Sequence, residues 1–270
     1  MRRLSLENNR VRKTMKAYKN YIFDLYGTLV DIRTDENKKD LWEKMSLFCG
    51  YYGADYSPEE LQKRYLELVQ TVERQMSQAM QQQTQNNPVR YVHEAYPEIP
   101  IEKVFGQLYK DKMVEPGEEL VRHTGQMFRV LSTHHVRLYA GAKELLYSLK
   151  ESGKKVYLLS NAQRIFTEYE LFYLKIHDCF DGILISSDYG CKKPDERFFR
   201  ILLDKYSIKT EESLMIGNDL DTDIRGAKQI GMDTYYIHSA ISPALKREVD
   251  ADYFMKRMNL HSLQKQLLGR

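Results

Sequence analysis

Short apolar runs alternate with amphipathic stretches over most of this chain, and this alternation limits its possible folds more than any other feature. Strand-like runs occur at Tyr21–Asp24, Val156–Ser160, Gly182–Ser186, Leu214–Gly217 and Thr234–Ile237. They are apolar almost throughout, which is typical of strands covered on both faces. Helical patterns lie between them, such as AKELLYSLKES, in which Leu145, Leu146 and Leu149 share one face. Because repeated strand–helix–strand units form right-handed crossovers, the sequence predicts an α/β fold with a doubly wound parallel sheet.

The segment between the first strand and the others has a different pattern, with helical periodicity and scarcely a strand signal. Within it, Ser57, Pro58 and Glu60 resemble a helix-capping box with proline in the first turn. A glutamine-rich stretch is expected to end this helix and run into a loop at Pro88. The chain is therefore divided into a basic N-terminal arm (1–18), an α/β core (19–31 and 139–270) and an all-helical insertion (32–138). We expect the arm to be solvated and the closing residues to pack on the core as a helix.

Composition excludes several classes of protein. The 41 Lys and Arg against 38 Asp and Glu leave a formal charge of +3, too small to indicate a nucleic-acid partner. No apolar run approaches the ~20 residues of a membrane-spanning helix, and the basic start lacks the apolar stretch of a secretory signal. Cys49, Cys179 and Cys191 show no CxxC spacing, which argues against a disulfide framework or a structural zinc site. We therefore expect a cytoplasmic protein without nucleic-acid or membrane partners.

Polar residues follow the predicted strands at the point where each strand ends. Four segments contribute them: FDLYGTLVD (Phe23–Asp31), SNAQ (Ser160–Gln163), CKKPDERFF with Lys193 before Pro194, and IGNDLDTDIRGA with Asn218, Asp219 and Asp223. In open α/β folds ligands bind at the carboxyl ends of the strands, so these segments are expected to converge. Each alone could be a turn, a helix cap or a solvated loop cation. Together, a carboxylate, a hydroxyl, a cation and an acidic pair after successive strands indicate a catalytic site.

This arrangement resembles the haloacid dehalogenase-like (HAD) hydrolase superfamily, whose four motifs match DLYGTLVD, LLSNAQ, KKPD and GNDLDTD. The resemblance covers the core from about Tyr21 to His238, and the place of the insertion resembles the superfamily's helical cap. It implies a Rossmann-like core in which Asp24 is the nucleophile, forming a covalent aspartyl intermediate that water then hydrolyses. The residues implied to hold or contact the transferred group are Gly27, Thr28, Ser160, Asn161 and Lys193.

For a phosphoryl group the resemblance implies Mg²⁺ as the cofactor and a small phosphorylated metabolite as the substrate. The metal would bind Asp24, the main-chain carbonyl of Tyr26, and Asn218 or Asp219, an all-oxygen set of the kind that magnesium requires. Asp223 would support these groups without binding the metal itself. Without the cation, a carboxylate that attacks a phosphate dianion meets like-charge repulsion.

Two departures from the phosphatase pattern leave other functions open. Tyr26 stands where phosphatases of the superfamily usually have the aspartate that acts as general acid and base, and it matches the haloacid dehalogenases. Asn218 stands where the fourth motif usually has its first aspartate. The dehalogenase contacts are not reproduced either, because Phe199 replaces their tyrosine and Leu220 aligns with their asparagine. The alternatives are a metal-independent 2-haloacid dehalogenase-type hydrolase and a non-catalytic ligand-binding module.

Tyr26 also bears on the substrate class. A phenol with an ordinary pKa of ~10 is a poor proton shuttle at neutral pH, and general acid catalysis is worth ~100-fold or more. We therefore expect acyl or aryl phosphates, which have good leaving groups, to be hydrolysed better than alkyl phosphate monoesters.

Other candidate residues carry weaker signals. Arg64, Arg74 and Arg90 of the insertion could contact a substrate, and His134 and His135 lie near its return to the core. A surface or structural role is the commoner one for such residues. The same holds for the turn of Tyr51, Tyr52 and Gly53, where a helix terminus is an equal alternative. The sequence leaves open whether the protein is a monomer or a homodimer.

Overall fold

The computed structural model describes residues 15–86, 96–245 and 248–269. The strands are β1 (Asn20–Phe23), β2 (Val30–Thr34), β3 (Thr133–Leu138), β4 (Lys155–Ser160), β5 (Gly182–Ile185), β6 (Ser213–Gly217), β7 (Asp233–Ile237) and β8 (Tyr253–Met255). The α-helices are α1 (Lys39–Tyr51), α2 (Pro58–Asn86), α3 (Ile101–Lys110), α4 (Glu118–Ser132), α5 (Ala142–Glu151), α6 (Arg164–Tyr173), α7 (Glu196–Tyr206), α8 (Arg225–Gln229) and α9 (Leu260–Leu268). None of these helices combines the length and the apolar character that crossing a membrane would require.

A parallel sheet of six strands forms the core, in the order β5-β4-β1-β6-β7-β8. Its central strand is β1, where Phe23 pairs with Leu158 of β4 and with Ile216 of β6. Tyr21 and Phe23 pack into one apolar cluster and Ile22 into a second, so the sheet is covered on both faces. The predicted α/β fold with a doubly wound parallel sheet is therefore confirmed.

The edge of the sheet differs from the prediction, because β8 extends it beyond β7. Only three residues form this strand, too few to stand out as an apolar run in a polar surrounding. The arm also differs, since its described end is not solvated: Tyr18 is 1% exposed and donates a 2.8 Å hydrogen bond to Asp233. The closing helix α9 does pack on the core as predicted, with Leu260, Leu263 and Leu267 buried in it.

The four helices α1 to α4 lie between β2 and β3 and share an apolar cluster of their own. Its centre is aromatic: the Phe128 ring lies 5.7 Å from the ring of Trp42 and 5.1 Å from that of Tyr65. The expected cap of α2 is present, because the Glu60 amide donates to the Ser57 hydroxyl at 3.2 Å. The helix continues to Asn86, and the loop predicted at Pro88 lies outside the described residues.

Both ends of the helical insertion enter a two-stranded antiparallel ribbon of β2 and β3. The sequence showed scarcely a strand signal here, and the strands are half-buried and carry charged residues. Asp31 of β2 joins the strands through Arg137 at 2.7 Å and His135 at 3.3 Å. His135 thus has a structural contact, and the exposed His134 lies beside it in the ribbon. The ribbon spans the two boundaries that the sequence placed at residues 31 and 139.

Candidate active site

The segments with polar residues meet at one edge of the sheet. Asp24 directly follows β1, Ser160 ends the neighbouring β4, and Asn218 directly follows β6 on the other side. Since the chain runs from β1 to β4 in one direction and later to β6 in the other, this edge is the switch point of the topology. Lys193 reaches the same place from the loop after β5. A crevice at a switch point is the usual ligand site of open α/β sheets.

Lys193 is the centre of a buried charge cluster. Its Nζ atom lies 2.7 Å from Asp24 Oδ1 and 2.7 Å from Asp223 Oδ1, and it also donates to the Leu159 carbonyl at 2.7 Å. The residue is 1% exposed, which excludes a solvated loop cation. Burial opposes its positive charge, but Asp223 and Asp24 outweigh this effect, so the pKa of Lys193 is raised. The ammonium group therefore stays charged and holds the carboxylate of Asp24 in place.

Asp223 orders the fourth motif from within. Its Oδ2 atom accepts hydrogen bonds from the amides of Asn218 and Asp219, each at 3.0 Å. Burial raises the pKa of Asp223 to about 7; the Lys193 ammonium opposes this rise, and the negative charge of Asp24 adds to it. These contacts give Asp223 a supporting position behind Lys193 and the turn after β6.

Thr28 brings the first and fourth motifs together. Its Oγ1 atom lies 3.2 Å from Asp24 Oδ2 and 3.3 Å from Asn218 Oδ1. These two oxygens therefore face the same hydroxyl group. The close approach depends on Gly27, whose φ is 86° and where a Cβ atom would lie 2.3 Å from Asn218 Nδ2. Asp219 has another task, because its Oδ1 atom caps the next helical turn by accepting from the amides of Asp221 and Thr222.

Ser160 and Asn161 differ in whether their side chains are free to bind a ligand. Ser160 is 0% exposed, and its hydroxyl has no hydrogen-bond partner within the described ranges. A buried hydroxyl without a hydrogen-bond partner costs free energy unless a ligand or a water molecule supplies the missing hydrogen bond. Ser160 is therefore suited to contact a transferred group. Asn161 was expected to contact substrate as well. Instead, its Nδ2 atom donates to the Lys193 carbonyl at 2.9 Å and its Oδ1 atom accepts from the Lys193 amide at 2.8 Å. It fixes the loop of Lys193.

The Tyr26 side chain is turned toward the helical insertion. Its hydroxyl lies 2.6 Å from Glu170 Oε2, 3.0 Å from Thr167 Oγ1 and 3.3 Å from Arg129 Nη2. Burial and the negative charge of Glu170 raise the pKa of Tyr26, against the opposing effect of Arg129. The phenol is therefore a neutral hydrogen-bond donor to Glu170. Sequence reasoning missed Glu170 and Arg129. The available signal was Glu170, a charged residue at a buried position of helix α6.

A third missed residue, Glu98, ties the insertion to the core. Its carboxylate accepts from Gln163 Nε2 and Ser186 Oγ, both at 2.8 Å, and the residue is 9% exposed. Burial raises the pKa of Glu98, and Lys192, Ser186 and Gln163 oppose the rise. Beside it, Pro97 bridges to Cys191, so this segment lies against the loops that carry Ser160 and Lys193.

The weaker candidates lie elsewhere. Arg64 pairs with Asp111 at 2.6 Å within the insertion, Arg74 is exposed, and Arg90 lies outside the described residues. Tyr51 ends α1 and is 80% exposed, as expected of an ordinary helix terminus. Phe199 is 0% exposed in the apolar core under the sheet, away from any ligand role.

The side-chain oxygens that could bind a metal at this site are a carboxylate oxygen and an amide oxygen. The parts of the chain that the structure describes hold no group of three or more His, Cys, Asp or Glu arranged around a metal ion. However, the oxygens of Asp24 and Asn218 converge on Thr28, and a carboxylate and an amide oxygen are both suitable ligands for magnesium. The donor set therefore fits this cation in kind, with Asn218 placed better than Asp219.

A sequence profile of the haloacid dehalogenase-like hydrolases matches residues 18–231, which include the whole site. The chain belongs to this family. Solved structures of HAD proteins share its fold. The 2-haloacid dehalogenase of Pseudomonas syringae pv. tomato has a TM-score of 0.61 at 18% identity, covering 93% of this chain and 99% of that one. A HAD phosphatase of Thermococcus onnurineus has a TM-score of 0.55 at 18% identity, covering 94% and 98%.

Curated relatives match over shorter segments. The glyceraldehyde 3-phosphate phosphatase of Pyrococcus abyssi is 31% identical over 102 residues, which span 38% of this chain and 43% of that protein. The phosphoserine phosphatase of Thermus thermophilus is 29% identical over 106 residues, 39% of this chain and 43% of that protein. The matched segment thus spans less than half the length of either enzyme.

Proposed function

We propose that this HAD protein is a phosphatase that uses Asp24 as its nucleophile and acts on a small phosphorylated metabolite. The observation that carries the proposal is the buried contact of Asp24 with Lys193 at 2.7 Å, next to the Thr28 hydroxyl. This contact holds a carboxylate and a fixed cation at the switch point. Ser160 adds a hydroxyl that has no hydrogen-bond partner among the described residues. The phosphatase names of the matched relatives support the same conclusion.

In the first step, an oxygen of Asp24 attacks the phosphorus, a P–O bond to the carboxylate forms, and the bond to the leaving group breaks. Lys193, Thr28 and Ser160 hold the phosphoryl oxygens through charge and hydrogen bonds. In the second step water attacks the phosphorus of the aspartyl phosphate, which releases phosphate and restores Asp24. Splitting one displacement into two easier ones is the benefit of a covalent intermediate.

Magnesium is the proposed cofactor. Asp24, Asn218 Oδ1 and the main-chain carbonyl of Tyr26 would hold it, and Asp219 is the less suitable fourth-motif residue because it caps a helical turn. When bound, the cation would offset the repulsion between the carboxylate and the phosphate. Asp223 and Gly27 would keep Asn218 beside Thr28, since the first orders its amide and the second leaves room for its side chain.

A substrate with a good leaving group fits this site best. The Tyr26 proton is engaged by Glu170, so the residue that corresponds to the usual acid does not offer a proton to the leaving group. An acyl or aryl phosphate departs without such help, whereas an alkyl phosphate loses ~100-fold or more in rate without it. We therefore propose acyl or aryl phosphates as the substrate class.

The dehalogenase alternative has two supports, Tyr26 and the pair of Ser160 and Asn161. The site opposes it, because Asn161 is taken up by the main chain of Lys193 and Phe199 lies in the core. A non-catalytic binding module would keep the same cluster without turnover. We place the protein in the cytoplasm, as a monomer or a homodimer; the free and buried thiols of Cys49, Cys179 and Cys191 suit a reducing compartment.

The deciding experiment is a substrate panel with and without magnesium, with Asp24→Asn as the control. The panel contains aryl, acyl and alkyl phosphates and a 2-haloacid. We expect magnesium-dependent phosphate release that Asp24→Asn lowers at least ~1,000-fold. Halide release in EDTA would support the dehalogenase, and thermal stabilisation by ligands without turnover would support the binding module. Equal product release by wild type and Asp24→Asn would show that the nucleophile is another group.

A further inference from the structure

Three segments of the chain meet at the Tyr26 hydroxyl. Tyr26 belongs to the turn after β1, Glu170 to helix α6 of the core, and Arg129 to helix α4 of the insertion. Arg129 Nε lies 2.6 Å from Glu170 Oε1, and its Nη2 atom lies 3.2 Å from Glu170 Oε2. The guanidinium group therefore grips the carboxylate with two nitrogens, and the phenol lies beside both. The ion pair joins the insertion to the core.

This junction is largely dry. The side chains of Arg129 and Glu170 are 19% and 9% exposed. The guanidinium carbon also lies 5.6 Å from the ring centre of Tyr26 and 5.3 Å from that of Phe166. The two helices approach closely at Gly125, where a Cβ atom would lie 2.6 Å from Ile165 Cδ1. An ion pair, cation–π contacts and close helix packing thus act at one place.

The Tyr26 proton has a fixed destination. A carboxylate only accepts and a guanidinium only donates, so the phenol gives its proton to Glu170 at 2.6 Å and receives one from Arg129 at 3.3 Å. A phenol committed in this way has no proton to give to a departing group.

The turn that carries Tyr26 also carries Thr28, and it is tightly hydrogen-bonded. The amides of Leu29 and Val30 both donate to the Leu25 carbonyl at 2.9 Å, and the Gly27 amide donates to the Val30 carbonyl at 2.8 Å. The Thr28 amide also donates to the Leu25 carbonyl, at 3.3 Å, so a displacement of Tyr26 would disturb the turn that holds Thr28.

We propose that Arg129 closes the helical insertion on the core by docking on Glu170 and the Tyr26 hydroxyl, and that Tyr26 is a positioning residue for the turn of Thr28. The position that carries the acid in other phosphatases here serves as the receptor of the closing contact. The kinetic part of this inference rests on the proposed phosphatase function, whereas the docking part does not.

The kinetic test compares Tyr26→Phe, Arg129→Met and Arg129→Lys on 4-nitrophenyl phosphate and on phenyl phosphate, which has the poorer leaving group. A positioning role predicts that Tyr26→Phe lowers kcat/KM about tenfold on both substrates by the same factor, with a larger loss in Arg129→Met and partial recovery in Arg129→Lys. A proton donor would give a loss that is much greater on phenyl phosphate, and that result would overturn the proposal. Matched controls are Arg122→Met on α4 and Glu168→Gln on α6, whose side chains are 58% and 55% exposed.

Amide hydrogen exchange tests the docking without activity. Arg129→Met and Tyr26→Phe should speed exchange in the peptide 24–31 by at least about threefold over the two controls. Unchanged exchange in that peptide, with native stability, would overturn the proposal even if kcat/KM fell. A wild-type protein that releases phosphate from no aryl, acyl or alkyl phosphate of the panel would instead overturn the proposed function, and the exchange rates would still decide the docking.

Discussion

Two buried charge clusters in this protein are built in different ways. In the first, Lys193 lies between Asp24 and Asp223, and all three residues follow strands of one sheet. In the second, Arg129 of the insertion lies on Glu170 and Tyr26 of the core. The first cluster lies wholly within the core, where Asn161 fixes the loop of Lys193, whereas the second exists only while the insertion and the core are in contact. The cluster within the core therefore suits catalysis, whereas the cluster shared by the insertion and the core suits closure of the insertion on the core.

The largest effect is expected from removing the cation of the fixed cluster. Lys193→Met leaves Asp24 and Asp223 buried without their ion-pair partner, so we expect a loss of about 3–5 kcal/mol in the free energy of unfolding. Turnover should fall at least ~1,000-fold. Urea denaturation and aryl phosphatase assays measure both changes. Arg129→Met, at the other cluster, should retain much more activity; equal losses in the two variants would erase the distinction between them.

Backbone space at the fixed cluster gives the next largest effect. Gly27→Ala would press a methyl group against Asn218, whose Nδ2 atom lies 2.3 Å from the added carbon position. We expect kcat to fall about 100-fold as Asn218 and Thr28 are displaced. Gly153→Ala is the matched control, because its φ is also positive at 72° and nothing lies within 4 Å of the added carbon. A similar activity in both variants would mean that only backbone strain, and not the fit to Asn218, matters.

Substrates with different leaving groups test the same comparison of the two clusters, through the role of Tyr26. If the phenol of Tyr26 serves the closing contact, aryl phosphates should exceed alkyl phosphates in kcat/KM by ~100-fold or more. Steady-state kinetics at saturating magnesium measure the ratio, with the background hydrolysis of each substrate subtracted. Comparable values for the two classes would show that another group supplies the proton.

The smallest effect concerns Glu98, the second tie between the insertion and the core. Because burial raises its pKa in the folded protein, its contribution to stability is complete below the unfolded pKa of ~4.3 and is lost as pH rises through the folded value. Glu98→Gln removes this dependence, so its stability relative to wild type should improve as the pH rises from acid to neutral. Thermal unfolding over that range checks the sign. Glu119→Gln, 76% exposed, should show no such trend.

The sequence predicted the fold of the core well, because five of the six strands in its sheet are short, mostly apolar runs. It also identified the residues that converge at the sheet edge, because their segments follow the predicted strands one after another along the chain. The roles of these residues stay predictions. The sequence missed β2 and β3, which carry charged residues, and β8, which has only three residues. It also missed the partners of Tyr26. Arg129 and Glu170 are 41 residues apart, and only the packing of α4 on α6 brings them together.

The ribbon of β2 and β3 makes the helical insertion replaceable as a unit. Thr34 and Thr133 are partners in the ribbon, so the chain leaves the core and returns to it at almost the same point. A tight hairpin between them would close the gap without changing the order of the sheet. Lineages could therefore exchange, lengthen or shorten everything beyond the ribbon without changing the order of the strands, provided that each new insertion supplied its own contact to Tyr26 and Glu170.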